Sequence, residues 1–327
     1  METVTDEAAL AAAQQVLQYW GLEARDLQVF SRSENVVLKA ETTVGETVAV
    51  RLHRPGYHSL DELQSEQTWV RSLGAAGVGV PHARKAPGGE YYLPVRVADT
   101  GEIRQAGVVD WVPGVQAASS LREASVAEAI DRVRELGALT GRVNRLSSSW
   151  EPPAGFLRHH LDADGLMGDT PFWGPFWDVP ELSRIEKARI RGLRDALHGQ
   201  LTNHGKDQGD YSMIHADLHA HNVLVDGSSV AIIDFDDAGF GWHGYEMAIA
   251  LLGFPDRDCR QAMEDAYIEA YRRENPIGES CLATVQVFKL VRLLVSIGWV
   301  HHRPEHGRKR IRPTIDAAFE MATRLGL

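Results

Sequence analysis

The sequence is poor in cysteine and has no long apolar run. Its 327 residues include two cysteines, Cys259 and Cys281, without a Cys-x-x-Cys spacing. A disulfide framework is therefore excluded, and a reducing compartment is expected. No window of about 18 uninterrupted apolar residues occurs, and the N-terminal residues lack the basic and apolar regions of a signal peptide. We therefore expect a cytoplasmic protein that does not interact with a membrane.

Basic residues are also outnumbered. The chain has 34 Lys and Arg against 45 Asp and Glu, which gives a formal net charge of −11. This balance argues against a nucleic-acid partner and does not favour an anionic membrane surface. With 44% hydrophobic and 24% charged residues, the composition is that of an ordinary globular protein, and the length is suited to two lobes.

The first part of the chain is predicted to be rich in β-strand. Residues 6–20 place apolar side chains at helical spacing, with Thr5 as the N-cap. Ser59 and Glu62 form a capping box at the start of a second helix, which ends at Gly74. Runs of β-forming residues predict strands at Gln28–Arg32, Asn35–Glu41, Thr47–His53, His82–Ala86, Glu90–Val95 and Gln105–Val112.

The rest of the chain has a helical pattern. Ser125 and Glu128 form another capping box, and apolar residues then recur at helical spacing. The pair Pro113-Gly114 interrupts the regular pattern ahead of these helices. It is the predicted boundary between the β-rich first part and the helical second part. We therefore expect an α+β, two-lobed fold. Residues 1–113 would form an N-terminal lobe with an antiparallel sheet, and residues 114–327 a mostly helical C-terminal lobe.

A polar cluster lies at the two ends of a predicted hairpin. The stretch from Ile214 to Gly239 places Asp217 five residues before Asn222, and Asp234 twelve residues after it. Two short apolar runs joined by Asp-Gly lie between them, as in a tight β-hairpin. Carboxylate and amide oxygens suit Mg²⁺, and one carboxylate remains to act as a base. The spacing His-x-Asp-x-x-x-x-Asn followed by Asp-Phe matches the catalytic loop and metal aspartate of the kinase fold, so we interpret the stretch as a phosphotransferase site.

A second group of residues aligns with the nucleotide-binding part of kinases. The tetrapeptide Val48–Arg51 lines up with the kinase sequence Val-Ala-Ile-Lys. In this alignment Ala49 leaves room for adenine, and Arg51 replaces the phosphate-binding lysine with a planar, bidentate cation. Glu66, in the middle of the next helix, is the predicted partner of Arg51, and Glu62 is the competing partner. The alternative for Arg51 is a surface arginine on an edge strand.

Two further nucleotide-binding predictions come from strand ends. Asp110 and Val112 end a strand before a breaker pair and fit a hinge whose backbone groups contact the adenine edge. The turn from Ser31 to Asn35 lies where kinases cover the nucleotide, so Asn35 is assigned to the nucleotide site. This turn has no glycine, so it cannot cradle phosphates as a glycine-rich loop does.

With Arg51, Glu66, Asp217, Asn222 and Asp234 in this order, the chain resembles the aminoglycoside phosphotransferase and choline kinase-like family. That family includes the type II homoserine kinases and the bacterial stress-response kinases. The resemblance implies a protein-kinase-like fold, ATP or GTP as phosphoryl donor and Mg²⁺ as cofactor. It implies that Asp217 is the base, that Asn222 and Asp234 bind the metal, and that Arg51 and Glu66 serve the nucleotide phosphates. The cation would bridge an acidic protein and an anionic nucleotide.

The acceptor site is assigned to an aromatic segment and to one acidic residue. Residues 149–180 are irregular and aromatic, so Trp173 and Trp177 are assigned to flat walls of an acceptor pocket. Packing against neighbouring helices is the alternative for this segment. Asp236 replaces the glycine of the kinase Asp-Phe-Gly motif and could contact a cationic acceptor.

We expect a kinase that acts on a hydroxyl group of a small metabolite or antibiotic. Only 11 residues separate Asp234 from Glu246, fewer than a protein kinase needs for its peptide-binding segment. The alternatives are a stress-response-type protein Ser/Thr kinase and a nucleotide-binding pseudokinase without the usual lysine. His301, His302 and His306 are interpreted as part of a solvated, charged helix junction rather than a metal site. Neither the acceptor nor the oligomeric state is assigned.

Overall fold

The computed structural model describes residues 4–32, 35–206, 209–303 and 308–327. Ser33 and Glu34 of the predicted nucleotide-covering turn, and His306 of the histidine cluster, lie outside the described residues. The lobe boundary predicted after residue 113 stays a prediction. The chain divides into two compact units, the first made of Met1–Gly114, Pro152–Leu157 and Asp226–Ile233, and the second of Val115–Glu151, Arg158–Val225 and Asp234–Leu327.

An antiparallel sheet dominates the first unit. In chain order the elements of this unit are α1 (Asp6–Tyr19), β1 (Ala24–Arg32), β2 (Val36–Thr42), β3 (Thr47–Leu52), α2 (Leu60–Ala75), β4 (Ala83–Arg84), β5 (Leu93–Arg96) and β6 (Ile103–Asp110). The strands lie in the order β1-β2-β3-β6-β4, with β5 also paired to β6.

Helix α1 packs an alanine-rich face into the core of this unit. Ala9, Ala13 and Val16 are fully buried, in one cluster with Leu38 of β2 and Val50 of β3. Small side chains on the helix let its backbone lie close to the sheet, and the branched strand residues fill the space between them. The predicted amphipathic helix is therefore confirmed as a packing element.

The capping signals set the helix boundaries as predicted. Thr5 accepts the backbone N–H of Ala8 at the start of α1, and Ser59 and Glu62 form the reciprocal capping box of α2. The predicted strands are present, but the one expected at 82–86 pairs only over β4. After Arg84 the chain forms a turn in which the N–H of Gly89 donates to the carbonyl oxygen of Ala86 at 2.8 Å, and Gly89 has a φ of 100°.

The remaining elements are mostly helical, as predicted. One later strand, β11 (Ser229–Ile232), belongs to the first unit instead. There the N–H of Ile232 donates to the carbonyl oxygen of Gly79 at 2.8 Å. In chain order the elements are β7 (Val115–Gln116), α3 (Ala117–Glu123), α4 (Val126–Ser148), β8 (His160–Leu161), α5 (Ala163–Met167), α6 (Arg184–His204), β9 (Tyr211–Ile214), β10 (Val223–Asp226), β11 (Ser229–Ile232), β12 (Gly239–Trp242), α7 (His243–Leu252), α8 (Arg260–Glu274), α9 (Glu279–His301) and α10 (Ile311–Arg324).

A small sheet of the second unit was not predicted. It consists of strands β8, β12 and β9 in that order. Each is only two to four residues long, so no alternating pattern is long enough to identify it. This sheet matters because the polar stretches of the predicted site begin and end on it.

Among the described residues, one helix, α9, is long and apolar enough to span a membrane by length and composition. Residues Cys281–His301 reach a mean hydropathy of 1.7, and 56% of that window is buried within the protein. Lys289 and Arg292 within it form ion pairs with Glu264 and Asp217. Core helices of globular proteins have the same length and composition, and we interpret α9 as one of them.

Glycine in α4 permits close packing of α4 on α8, which generates a stability prediction. A Cβ added at Gly137 would lie 2.2 Å from the carbonyl oxygen of Tyr267 in α8. Gly137→Ala should therefore lower the free energy of unfolding by about 1–3 kcal/mol, since the helices must separate. Gly192→Ala in the exposed part of α6, where a Cβ meets no atom within 4 Å, should raise it by up to about 1 kcal/mol. Urea denaturation measures both, and equal effects would contradict the packing argument.

Candidate active site

A pair of short strands brings the predicted polar stretches together. Strands β9 and β12 are antiparallel, and Ile214 pairs with Gly239. The chain that leaves β9 and the chain that enters β12 therefore lie at the same end of the pair. The ring of His215, just after β9, lies 4.7 Å from that of Phe235, which follows Asp234. Asp217 and Asp234 thus project from neighbouring segments.

A buried carboxylate fixes the first of these segments. Glu246 of α7 is fully buried and accepts the backbone N–H groups of His215 and Ala216 at 2.9 and 2.8 Å. Ala216 has a φ of 62°, a left-handed conformation that alanine rarely adopts. The two hydrogen bonds hold this conformation and so set the direction in which the next residue points. Burial raises the pKa of Glu246 to about 8, against the effect of these two backbone N–H groups.

His215 supports the same turn. Its ring is fully buried, and Nδ1 accepts the backbone N–H of Asp217 at 3.3 Å. The imidazole therefore holds a backbone group rather than facing a ligand.

The Asp217 carboxylate is oriented by two donors. Asn222 donates through Nδ2 to Oδ2 of Asp217 at 2.9 Å, and Arg292 of α9 donates through Nη2 to Oδ1 at 2.7 Å. Asn222 also donates to the backbone oxygen of Asp217 at 2.9 Å. Only 16% of the Arg292 side chain is exposed, so this ion pair is shielded from solvent. The carboxylate is thus held in one orientation.

The second segment is held by its backbone oxygens. Arg158 is buried, and its guanidinium donates to the carbonyl oxygens of Asp236 and Ala238 at 2.7 and 2.6 Å. Asp234 itself is exposed and has a φ of 65°. Backbone strain of this kind is common at functional positions. The side chain of Asp236 is buried rather than exposed at the surface, so its predicted contact with an acceptor stays a prediction.

The donor set fits a hard divalent cation. Both side-chain hydrogen bonds of Asn222 use Nδ2, and within the described residues its amide oxygen accepts none. Asp234 contributes an exposed carboxylate on the neighbouring segment. An amide oxygen and a carboxylate oxygen are ligands that Mg²⁺ prefers. The two residues are therefore suited to the metal role that the resemblance implies.

The residues predicted to bind the nucleotide phosphates lie in the first unit. Arg51 and Ala49 are on β3, which pairs with β6, and Ala49 faces Val109 in that register. Glu66 is buried on α2. Their places on strand and helix are as predicted, and the Arg51–Glu66 pair stays a prediction.

The other predicted nucleotide residues are at strand ends of the same unit. Asn35 is buried, and its Oδ1 accepts the backbone N–H of Arg54 at 2.8 Å. The Asp110 carboxylate accepts Nε of Arg84 at 2.6 Å, so its side chain braces the end of β6. Val112 follows that strand in a half-buried position. Nothing in these contacts tests their proposed role towards adenine.

The two tryptophans assigned to the acceptor pack against arginines. Trp173 is 5% exposed, and the Arg292 guanidinium lies 5.5 Å from the centre of its ring. The ring of Trp177 lies 4.7 Å from the guanidinium of Arg194 in α6. Trp173 therefore stands behind the ion pair of Asp217, and its direct contact with an acceptor stays a prediction.

A cleft of about 510 Å³ opens beside Asp217 in the second unit. Its lining includes Arg292 and Trp299 of α9, with Lys309 and Arg310 just before α10. Sequence reasoning missed these four residues for this site. The sequence does contain a basic run that ends at Arg310. This run could have indicated a basic side of the site, but it was interpreted only as part of a charged helix junction.

The histidines of that junction have separate partners. His301 lies 3.2 Å from a carboxylate oxygen of Glu181, and Nδ1 of His302 lies 2.8 Å from the carbonyl oxygen of Gly298. The described pair therefore does not converge on one point, which agrees with the interpretation as a helix junction.

An antiparallel sheet unit, a helical unit and an Asp-Asn-Asp site are the features of protein-kinase-like phosphotransferases. The family model described as "Phosphotransferase enzyme family" matches residues 26–277. The chain belongs to this family, which confirms the predicted family, fold class and enzyme class.

Known relatives have small-molecule acceptors. Amicoumacin kinase of Bacillus subtilis (strain 168) is 25% identical over 254 residues, which are 74% of this chain and 70% of that enzyme. A microcompartment-associated aminopropanol kinase is 29% identical, with a TM-score of 0.79 over 95% of this chain and 94% of that one. An amicoumacin kinase in complex with AMP-PNP and Ca²⁺ is 17% identical and shares the fold, with a TM-score of 0.75 over 93% and 92% of the two chains. The chain is a phosphotransferase of this family.

The raised pKa of Glu246 generates a prediction about stability. The folded state keeps a proton on this carboxyl up to a pH of about 8, whereas the unfolded chain releases it near 4.5. Between these values the folded state binds more protons, so the contribution of Glu246 to stability should fall as pH rises, by at most about 1.4 kcal/mol per pH unit. Glu246→Gln removes the titration. Urea denaturation at pH 5 to 8 should show a wild-type advantage over this variant that decreases with pH, and an increasing advantage would contradict the assignment.

Proposed function

We propose that this protein transfers the γ-phosphoryl group of ATP, or of GTP, to a hydroxyl group of a small molecule, with Asp217 as the base. The observation that carries the proposal is the Asp217 carboxylate at the wall of a 510 Å³ cleft, oriented by Asn222 and Arg292. A cleft of this volume suits a small molecule. We also propose a cytoplasmic location.

The acceptor hydroxyl would donate a hydrogen bond to Asp217. Its oxygen attacks the γ-phosphorus, the bond from that phosphorus to the bridging oxygen breaks, and the nucleoside diphosphate leaves with the bridging oxygen. The hydroxyl proton passes to Asp217 and then to solvent. Because the transition state of phosphoryl transfer is loose, positioning of the hydroxyl contributes more than the basicity of the carboxylate.

Asn222 and Asp234 are the proposed ligands of Mg²⁺. The bound cation would neutralise phosphate charge, which an acidic protein has to offset. The amide oxygen of Asn222 is oriented by the two hydrogen bonds of its Nδ2, so the residue links the metal site to the Asp217 carboxylate.

The nucleotide role of the first unit rests on its strand and helix positions. Arg51 on β3 and Glu66 on α2 would orient the phosphates, Ala49 would face adenine, and Asn35, Asp110 and Val112 would border the nucleotide. Arginine keeps the positive charge of the usual lysine and adds a second donor direction. Aminopropanol, the acceptor in the name of one relative, carries a hydroxyl and an amino group, and this supports a small hydroxylated acceptor here.

Replacement of the base should abolish turnover without loss of nucleotide binding. Asp217→Asn keeps the size of the side chain but removes its proton affinity, so kcat should fall by about 10²- to 10⁴-fold. The Kd for nucleotide should change little. Asp226→Asn, an exposed carboxylate of the same stretch, is the matched control. Labelled ATP with a panel of hydroxylated metabolites and a generic protein substrate measures the transfer. Wild-type rates in Asp217→Asn, or label only in the protein substrate, would contradict the proposal.

Removal of the exposed metal ligand should affect binding instead. Asp234→Ala should abolish the Mg²⁺-dependent part of ATP binding, because a carboxylate ligand is lost. Binding measured by calorimetry in Mg²⁺ and in EDTA separates the two parts, and Asp226→Ala serves as control. A variant that keeps the full difference between Mg²⁺ and EDTA would rule out Asp234 as a ligand.

A further inference from the structure

The charge of the cleft differs in sign from that of the whole chain. Asp217 is the only acidic side chain among its described lining residues. Its charge is matched by Arg292, whose Nη2 lies 2.7 Å from Oδ1. Lys309 and Arg310 also line the cleft, so two positive charges remain after this ion pair is counted. The chain as a whole has a net charge of −11.

Lys309 and Arg310 are available to a ligand. Both side chains are exposed, and among the described residues no carboxylate forms an ion pair with either of them. Most other arginines of the second unit have such partners, as in the pairs Arg312–Glu186 and Arg272–Glu279. Two unneutralised cations at one cleft attract an anion over a distance of about one Debye length, roughly 8 Å at physiological ionic strength.

A cationic acceptor would have to enter the cleft against the charges of Lys309 and Arg310, which line it.

The cleft offers an amine little in return. An ammonium group binds to carboxylates or to open aromatic faces. Among the described lining residues the one carboxylate is that of Asp217, and it is already paired with Arg292. The Trp299 ring lies 4.5 Å from the guanidinium of Arg303, so a cation already occupies its vicinity.

We propose that the acceptor carries an anionic group, a carboxylate or a phosphate monoester, in addition to the hydroxyl, and that Lys309 and Arg310 bind this group. The inference rests on the proposed function, since it takes the cleft at Asp217 as the acceptor site. It assigns the two residues to substrate selection: they hold the anion while the hydroxyl lies at Asp217. An uncharged or purely cationic amino alcohol would lack this contact.

Matched compounds test the anion directly. Homoserine differs from 3-amino-1-propanol by one carboxylate, and glycerol 3-phosphate differs from glycerol by one phosphate. Calorimetry with the Mg²⁺–AMP-PNP complex of the full chain should show at least about tenfold tighter binding of the anionic member in one pair, and the pair that responds identifies the anion. If the anionic member binds no more tightly in either pair, the inference is wrong.

Variants test whether Lys309 and Arg310 cause the preference for an anionic acceptor. The double variant Lys309→Ala, Arg310→Ala should lose the preference and raise KM for an anionic acceptor about tenfold or more, with kcat little changed. Arg272→Ala, Arg273→Ala on the exposed part of α8 removes the same charge away from the cleft and should keep the preference. Retention of the preference by the first double variant, or its loss in the second, would overturn the assignment.

Binding and turnover separate this inference from the proposed function. Phosphorylation of 3-amino-1-propanol without any anion preference would support phosphoryl transfer and overturn the inference. Anion-selective binding without phosphoryl transfer would support the inference and count against the proposed function.

Discussion

A single buried carboxylate determines where the proposed base, Asp217, points. Glu246 accepts the N–H groups of His215 and Ala216, and the left-handed backbone at Ala216 places Asp217 beyond them. A non-glycine residue in this conformation costs on the order of 1–3 kcal/mol. A backbone N–H hydrogen bond to an uncharged acceptor contributes about 0.5–1.5 kcal/mol, so the two bonds together are of the same order as that cost. The strained turn therefore depends on an acid that lies 30 residues further along the chain.

The ion pair between Asp217 and Arg292 fixes the orientation of the carboxylate. Orientation matters in phosphoryl transfer because the transition state is loose and positioning of the attacking group contributes most. Trp173 and Tyr245 enclose the guanidinium and keep it from turning towards solvent. The Asp217 carboxylate is thus held in one direction.

Local sequence patterns predicted the parts of the molecule that depend on near neighbours. The capping boxes at Ser59 and Ser125 set helix ends, and Asp217, Asn222 and Asp234 lie at a spacing that one hairpin fixes. The role of Arg292 depends instead on a contact across 75 residues. Its helix is apolar enough to be interpreted only as core, and no periodicity indicates which of its polar residues faces Asp217. The short strands β8, β9 and β12 are missed for a related reason, because their pairing is set by the surrounding tertiary structure.

Net charge describes the surface of this protein but not its cleft. Interactions between exposed charges are screened beyond about one Debye length, roughly 8 Å at physiological ionic strength, so most of the acidic residues behind the net charge of −11 act weakly inside the cleft. The sign there is set by the few groups that line it, and Lys309 and Arg310 come from a segment just before α10. Composition indicates which broad classes of partner are disfavoured, but it cannot indicate the charge of the acceptor. That property follows from which side chains the fold brings to Asp217, and here the fold brings cations.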